Sequence, residues 1–303
     1  MSPATEIALV AGRELKKSIR SVKGIILGIL TLLGSFLAVL ICIWLESGVR
    51  EKIGGAGTEA FQDAYEKGAV KAGADPAVAH YVAHMPISLI TFLKVLVWVG
   101  PLLVALLGFD SVSGDLQHRG VRYWTVRSRR WSYLLGKFFG LWGIVSIVTA
   151  TLMILSSLAV LIRGYITIGD FFTWGVRCWL ISAFIVGTWT SVAIFVSSRF
   201  KTPLLALLTT FGAFFCMWLP GFIGWAMRWG SALSSQGDSP EAQAAASSVV
   251  SNIRWYEYLY PNGYDDLLLS PKPMHVAAGL GACALYMIVF VGLASALFAK
   301  KDV

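Results

Sequence analysis

Apolar and polar residues follow one another along the chain in long blocks. Six apolar blocks are each long enough to cross a bilayer as a helix, which takes about 20 residues. They cover residues 24–44, 87–109, 141–162, 171–197, 203–227 and 274–299. The pattern therefore predicts an all-α polytopic membrane protein whose single transmembrane domain occupies residues 24–303, because lipid leaves few other ways to satisfy the backbone.

In the first 23 residues, apolar and polar residues alternate over a few positions rather than in long blocks. Ser2 can cap a helix that starts at Pro3. Apolar residues then recur at helical spacing, with mostly basic residues between them. The apolar set is Ile7, Val10, Ala11, Leu15, Ile19 and Val22, and the basic set is Arg13, Lys16, Lys17, Arg20 and Lys23. We favour an amphipathic helix in the cytoplasmic membrane interface. A solvated basic tail is the alternative.

Glycine and proline inside the spans are expected to modify the helices. Gly24 and Gly28 are four residues apart on the first span, so another helix can approach closely there. Pro101 lies within the second span. Pro220-Gly221 predicts a break or a kink near the outer end of the fifth span.

Two longer polar segments, residues 46–86 and 228–273, lie on the outer side of the predicted membrane. The first contains short helical patterns, one of which starts at Asp75-Pro76. The second ends in an aromatic stretch that contains four helix-breaking residues. They are Pro261, Gly263, Pro271 and Pro273. We therefore expect short helical pieces before the last span rather than one continuous helix.

Charge is distributed unevenly across the predicted membrane. The chain is 56% hydrophobic and 14% charged, with a formal net charge of +8. Basic residues cluster near both termini and in the loop at residues 110–140. The positive-inside rule makes these segments cytoplasmic, so we expect both termini inside the plasma membrane, which is the inner membrane in bacteria. The charge then faces lipid headgroups and a protein partner, and we predict no nucleic-acid binding.

Two cations, Lys94 and Arg177, fall within predicted spans. A charge at the bilayer centre costs about 2.5–3.5 kcal/mol on insertion scales. In one interpretation each side chain extends to the outer headgroups. In the other, both face a shared outer cavity, since polar residues such as Thr91 and Thr188 lie on the same helix faces.

Catalytic and metal-binding patterns are weak. Gly136-Lys137 resembles the end of a phosphate-binding loop, but Phe138 stands where Ser or Thr is required. His80 and His84, with Met85 beside them, could hold a soft metal, although two such histidines are more often surface residues. All four cysteines lie in apolar blocks and are interpreted as packing residues. We expect no catalytic, cofactor or metal site in this chain, so any ATP is bound by another polypeptide.

The loop at residues 110–140, between the second and third spans, interleaves arginines with aromatic residues. In a soluble protein this pattern suggests a nucleic-acid surface, but the flanking spans place it at the cytoplasmic membrane face. It resembles the cytoplasmic loop of type-2 ABC transporter permeases, with Arg127 where that family often has proline. The matching residues are Asp115, Gly120, Tyr123-Trp124, Ser128-Arg129 and Leu134-Leu135-Gly136-Lys137.

The resemblance implies a mechanism and partners. Two permease copies pair, and each docks a cytoplasmic ABC ATPase that binds ATP. The loop forms a coupling helix on that ATPase. Its docking residues are expected to be Asp115, Arg119, Arg122, Tyr123, Trp124, Arg127 and Arg129. In the alternative interpretation the arginines contact only headgroups. Trp131 and Lys137 are expected at the lipid interface.

In such permeases the segment before the last span forms a re-entrant outer gate, which maps here to Tyr260, Pro261 and Tyr264. The leading hypothesis is thus the permease subunit of an ABC transporter, and the resemblance favours an exporter. The alternative is a membrane subunit that passes an ATPase-driven movement to an outer accessory protein without transport. An intramembrane enzyme is disfavoured, because the spans hold no paired acids and no Ser/His set. Lipid, drug, peptide, ion and polysaccharide all remain open as cargo.

Overall fold

The computed structural model of the protein describes residues 2–53, 62–63, 66–70, 76–118, 129–164, 166–234 and 260–300. All elements assigned in these ranges are helical, which confirms the all-α class. In chain order they are α1 (Pro3–Arg20), α2 (Val22–Ile53), α3 (Pro76–Ala83), α4 (Ile87–Gly108), α5 (Ser113–Gln117), α6 (Arg130–Ile162), α7 (Ile168–Asp170), α8 (Val176–Arg199), α9 (Pro203–Ser234), α10 (Asp265–Leu269) and α11 (Pro273–Ala299). A π-helical turn (Phe171–Gly175) joins α7 to α8, and a 3₁₀ turn (Pro261–Tyr264) leads into α10.

Six of the described helices are long and apolar enough to cross a membrane, namely α2, α4, α6, α8, α9 and α11. This confirms the six predicted spans. Three helices extend well beyond the apolar blocks, since α2 continues to Ile53, α6 already begins at Arg130 and α9 continues to Ser234. Hydropathy marks only the stretch that suits lipid, whereas backbone hydrogen bonding continues through polar residues as long as no residue breaks the helix.

The N-terminal helix α1 forms as the sequence predicts. The Ser2 hydroxyl accepts a hydrogen bond from the Thr5 amide at 3.3 Å, and Pro3 occupies the first turn. Ser21 ends the helix in an extended conformation, and its hydroxyl accepts from the Gly24 amide at 3.1 Å. A single residue therefore turns the chain from α1 into α2. The position of α1 in the membrane interface stays a prediction.

The helix α8 lies at the centre of the bundle and packs against α4, α6, α9 and α11. Trp189, Ile185 and Ile194 on it are fully buried. Its hydroxyl side chains are buried as well, and those of Thr188 and Ser191 donate to carbonyls of the same helix, at Ile185 and Thr188, both at 2.6 Å. These hydroxyl groups thus form their hydrogen bonds within their own helix, although they are buried between helices.

The helix α9 runs without interruption through Pro220, so the predicted break does not occur. The neighbouring glycine has a packing role instead. A Cβ atom on Gly221 would lie 2.7 Å from Cδ1 of Tyr260, so only glycine lets that ring rest on the helix backbone. The helix can continue through Pro220 because neighbouring structure can compensate for the hydrogen bond lost at proline. Gly221 beside it provides the close contact with Tyr260.

Candidate functional site

The end of the bundle that is predicted to face the cytoplasm holds a short helix, α5, at the start of the loop between α4 and α6. Ser197 of α8 anchors it, since its hydroxyl accepts hydrogen bonds from the Val112 and Ser113 amides, both at 3.1 Å. The same hydroxyl donates to the Phe109 carbonyl at 2.8 Å. One buried serine therefore ties the beginning of the loop to the central helix.

A group of charged side chains, which we call the inner ion cluster, joins three helices beside this anchor. The Lys137 Nζ atom lies 2.7 Å from Glu14 Oε2 and 2.8 Å from Asp115 Oδ2. The Tyr133 hydroxyl donates to Asp115 Oδ2 at 2.8 Å, and Lys17 Nζ lies 3.5 Å from Asp115 Oδ1. The buried Lys137 is thus paired with two carboxylates, as a buried charge requires, and the exposed Lys17 adds a second cation beside Asp115.

The burial of Lys137 corrects one expectation. Its side chain is only 4% exposed, so it does not lie at the lipid interface. Trp131, which lies six residues earlier on α6, is 40% exposed, which suits an interfacial aromatic. The lysine is buried because α1 covers it and supplies one of its two carboxylate partners.

Two glycines on α6 let α1 approach this closely. A Cβ on Gly136 would lie 2.5 Å from Cβ of Val10, and one on Gly140 would lie 2.8 Å from Cβ of Glu14. The close helix contact therefore uses the small-xxx-small spacing of α6. On α2 the predicted close approach occurs at Gly24, where a Cβ would clash with the Ser18 carbonyl of α1, whereas a Cβ on Gly28 would meet no atom within 4 Å.

Two of the predicted docking residues lie in the described part of the loop. Asp115 belongs to the inner ion cluster, and Arg129 caps the start of α6, where its backbone amide donates to Glu6 Oε2 at 3.2 Å. The Arg129 side chain is exposed. The others, which are Arg119, Arg122, Tyr123, Trp124 and Arg127, lie outside the described residues.

The opposite end of the bundle contains an inserted stretch, residues 260–270, which we call the outer segment. Asn262 at its tip is 5% exposed. Its carbonyl oxygen accepts from Trp189 Nε1 at 2.8 Å, and its amide nitrogen donates to the Val97 carbonyl and the Tyr260 hydroxyl, each at 2.8 Å. Val97 and Trp189 lie near the midpoints of α4 and α8, so the tip reaches the middle of the bundle.

Pro101 explains why the Val97 carbonyl is free to accept this bond. In a helix that carbonyl would receive the amide of the residue four positions later, and proline has no amide hydrogen. Pro101 lies inside α4 at that position. The proline in the span thus exposes an acceptor, and the outer segment supplies its donor.

The two cations predicted within the spans both bind the outer segment. Lys94 Nζ lies 2.5 Å from Asp265 Oδ2. Arg177 donates to the carbonyls of Leu268 at 3.1 Å and Ser270 at 2.7 Å, at the end of α10. Its guanidinium also bonds the hydroxyl of Tyr81 on α3 and lies 5.0 Å from the centre of that ring. The cations therefore have protein partners, and their exposure to a shared cavity stays a prediction.

The residues of the predicted gate are buried. Tyr260 is 7% exposed and packs edge-on against Trp189, with ring centres 5.9 Å apart. Pro261 is buried beside it, and Tyr264 packs on Tyr286 of α11 at 6.1 Å. The described segment consists of two short helical pieces, as its prolines and glycine indicate.

A family model for the ABC-2 family transporter protein matches residues 8–303, which is nearly the whole chain. The chain belongs to the ABC-2 family. Members of this family are membrane subunits of ABC transporters and are generally non-catalytic. This protein is therefore an integral membrane protein and an ABC transporter permease by family. No curated protein matches the chain.

The histidine pair of this ABC-2 permease has protein partners. His80 Nδ1 lies 2.9 Å from Glu66 Oε2, and His84 Nδ1 bonds the His80 carbonyl at 2.8 Å. Met85 is 3% exposed and belongs to the core. Within the described ranges, no group of three or more His, Cys, Asp or Glu side chains is placed to hold a metal ion.

Sequence reasoning missed Glu14, Asn262 and Asp265. Glu14 sits among basic residues on a surface helix, so nothing in its neighbourhood predicts burial. Asn262 follows a proline and precedes a glycine, which is typical of an ordinary turn. The one available signal was the pair of intramembrane cations, since such charges require anionic or carbonyl partners.

Proposed function

We propose that this chain is the permease subunit of an ABC exporter, in which a separate cytoplasmic ATPase drives movement of a substrate across the membrane. The contacts of helix α4 are the main support for this proposal. Its inner end leads into α5 and the loop, while Lys94 and Val97 in its outer half hold the outer segment. A displacement of the loop can therefore be transmitted along α4 to the outer segment.

The ATPase docks on the loop between α4 and α6. Asp115 and Arg129 flank the residues that make the contact, with Tyr123 and Trp124 as anchors and Arg119, Arg122 and Arg127 as the charged rim. Aromatic and arginine side chains are the groups that protein interfaces favour. The inner ion cluster and Ser197 give this loop a firm base on the bundle.

Co-purification tests the docking. Replacement of Tyr123 and Trp124 by Ala is expected to abolish recovery of the ATPase with the tagged permease, while membrane insertion is unchanged. Trp131→Ala is the matched control, since this exposed aromatic lies outside the proposed contact. Undiminished recovery with the double variant would overturn the docking role.

The outer segment serves as the gate. Tyr260, Pro261 and Tyr264 close the path while Asn262, Lys94 and Arg177 hold them in the bundle. When these residues move out of the bundle, Lys94 and Arg177 lose their partners and face the same outer cavity, where they can attract an anionic or zwitterionic group. This supports the shared cavity as part of the substrate path.

The second candidate function is mechanical, with an outer accessory protein receiving the movement and no substrate crossing. The position of α3 favours it, because the Tyr81 hydroxyl of α3 accepts a hydrogen bond from Arg177, which also binds the outer segment. Proteoliposomes that contain permease and ATPase separate the two functions. ATP-dependent uptake of a cargo would support export, and ATP hydrolysis without movement of any cargo would support the mechanical role.

The assembly is proposed as a homodimer in the plasma membrane, with both termini cytoplasmic. The family supports the pairing of two permease copies with ATPases, and the basic loops support the orientation. Crosslinking in membranes tests the dimer. Protease digestion of sealed inside-out and right-side-out vesicles tests the position of the termini.

A further inference from the structure

The end of α3 presents two histidines at the protein surface. The buried side chains of this helix lie on one face, and they are Val78, Ala79, Val82 and Ala83. His80 and His84 lie on the opposite side, one helical turn apart, and both are exposed. Their ring centres are 4.4 Å apart. The packing of α3 against the bundle therefore holds two imidazole rings side by side.

Hydrogen bonds determine which nitrogen of each ring carries the hydrogen. The His84 Nδ1 atom lies 2.8 Å from the His80 carbonyl oxygen, which can only accept, so this nitrogen is the donor. The His80 Nδ1 atom lies 2.9 Å from Glu66 Oε2 and donates to that carboxylate in the same way. In the neutral rings, both Nε2 atoms therefore carry the lone pair that can bind a metal ion.

Both rings have the partners that are typical of metal-binding histidines. Such histidines usually donate their second ring nitrogen to a carboxylate or a backbone carbonyl, which fixes the ring and increases its basicity. His80 has the first kind of partner and His84 the second. The Glu66 side chain is 32% exposed and that of His80 is 63% exposed, so an ion can reach the pair from outside the protein.

From this arrangement we infer that His80 and His84 bind one divalent transition-metal ion through their Nε2 atoms. Glu66 and the His80 carbonyl orient the two rings, and water completes the coordination. Among the described residues, no third His, Cys, Asp or Glu side chain joins the pair to form a larger metal-binding group. The ion lies on the helix whose Tyr81 hydroxyl accepts a hydrogen bond from Arg177, the residue that also binds the outer segment.

The ligand atoms determine which ions bind. Met85 follows the pair in the sequence, but its side chain is 3% exposed and belongs to the core, so its thioether is not available to the same ion. Two imidazole nitrogens suit Cu²⁺, Ni²⁺ and Zn²⁺, whereas Mg²⁺ and Ca²⁺ prefer oxygen ligands. Within the first transition row, affinity for such a site is highest for Cu²⁺. We therefore expect Cu²⁺ to bind more tightly than Zn²⁺.

Isothermal titration calorimetry of the full-length permease in detergent tests the site with Cu²⁺, Zn²⁺ and Mg²⁺ salts. The protein is purified on a tag that contains no histidine. We expect one Cu²⁺ per chain, bound about tenfold more tightly than Zn²⁺, and no binding of Mg²⁺. Electron paramagnetic resonance of the Cu²⁺ form is expected to show coupling to two ligand nitrogens. A Cu²⁺ spectrum without two nitrogen ligands, or the absence of stoichiometric binding, would overturn the proposal.

Three variants locate the ion. His84→Gln leaves a single imidazole and is expected to remove the two-nitrogen spectrum and the stoichiometric binding. His118→Gln is the matched control, since His118 is also exposed but lies at the end of α5. Glu66→Gln keeps both ligands and is expected to weaken binding by about 10–100-fold, the usual effect of removing an orienting partner. Equal binding in His84→Gln and His118→Gln, or an unchanged affinity in Glu66→Gln, would contradict the site.

Discussion

Lys137 and Glu14 form a buried ion pair although they are 123 residues apart in the chain. The lysine also binds Asp115, so one ammonium group joins α1 and α5 to α6. The N-terminal helix and the beginning of the proposed ATPase-docking loop therefore share a single charged partner. If the loop moves away from α6, Lys137 loses one of its two carboxylate partners inside the protein, which is unfavourable.

The first prediction concerns this lysine. Lys137→Met is expected to destabilise the protein by about 3–5 kcal/mol, because it leaves the Glu14 carboxylate without its lysine partner and Asp115 with only the exposed Lys17. Unfolding by denaturant in detergent micelles, followed by tryptophan fluorescence, measures the change.

Lys67→Met is the matched control for that experiment. Lys67 Nζ lies 2.7 Å from Asp63 Oδ2, the same distance as in the Lys137–Glu14 pair, but its side chain is 72% exposed. Exposed pairs contribute little, so we expect an almost unchanged midpoint. Equal losses in the two variants would show that burial does not determine the strength of the inner pair.

The second prediction concerns the contact between α1 and α6. Gly140→Val is expected to cost about 1–3 kcal/mol by overpacking, since its Cβ would press on Glu14 and on the Ala11 carbonyl. Gly143→Val on the same helix is the control, because a Cβ there meets no atom within 4 Å. Brief trypsin digestion should cut α1 at Arg13 or Arg20 faster in the Gly140 variant only. Similar cleavage of both variants would mean that α1 does not depend on this contact.

The membrane architecture follows from local features of the sequence, and the described structure confirms those that depend on hydropathy and caps. Long apolar blocks predict the six spans, and Ser2-Pro3 predicts the start of α1. Such features arise from neighbours along the chain, so a single sequence contains them. The helix ends were less accurate, because one apolar block ends several residues before α2 ends at Ile53 and another begins several residues after α6 starts at Arg130.

The tertiary partners of charged residues could not be predicted in the same way. Lys94 and Asp265 are 171 residues apart, and no periodicity connects them. Gly24 and Gly28 have the same spacing as Gly136 and Gly140, yet in the described structure α1 closely contacts both members of the second pair and only Gly24 of the first. Spacing defines which surfaces permit a close contact, and the rest of the fold decides which of them is used.

The third prediction concerns the tip of the outer segment. Asn262→Ala leaves the Trp189 indole N–H and the Val97 carbonyl buried without partners, and each orphaned group costs about 1–3 kcal/mol. Trp189→Phe removes the same N–H but keeps an aromatic ring. A double-mutant cycle in the denaturant experiment isolates their interaction. Strictly additive losses would show that this hydrogen bond does not hold the segment.

The fourth prediction concerns Arg177 as a latch on the outer segment. Arg177→Lys keeps the charge but loses the planar group that reaches the Leu268 and Ser270 carbonyls together, so the segment should leave the bundle more often. Ser270→Cys reports this movement, because Ser270 is 1% exposed in the closed arrangement. With Cys42 and Cys216 replaced by Ala, labelling by a membrane-impermeant maleimide should accelerate about tenfold, as expected for local opening that becomes easier. Arg163→Lys, an exposed arginine at the end of α6, is the control and should leave the rate unchanged. A labelling rate in Arg177→Lys equal to that of the control would remove Arg177 from the proposed gate.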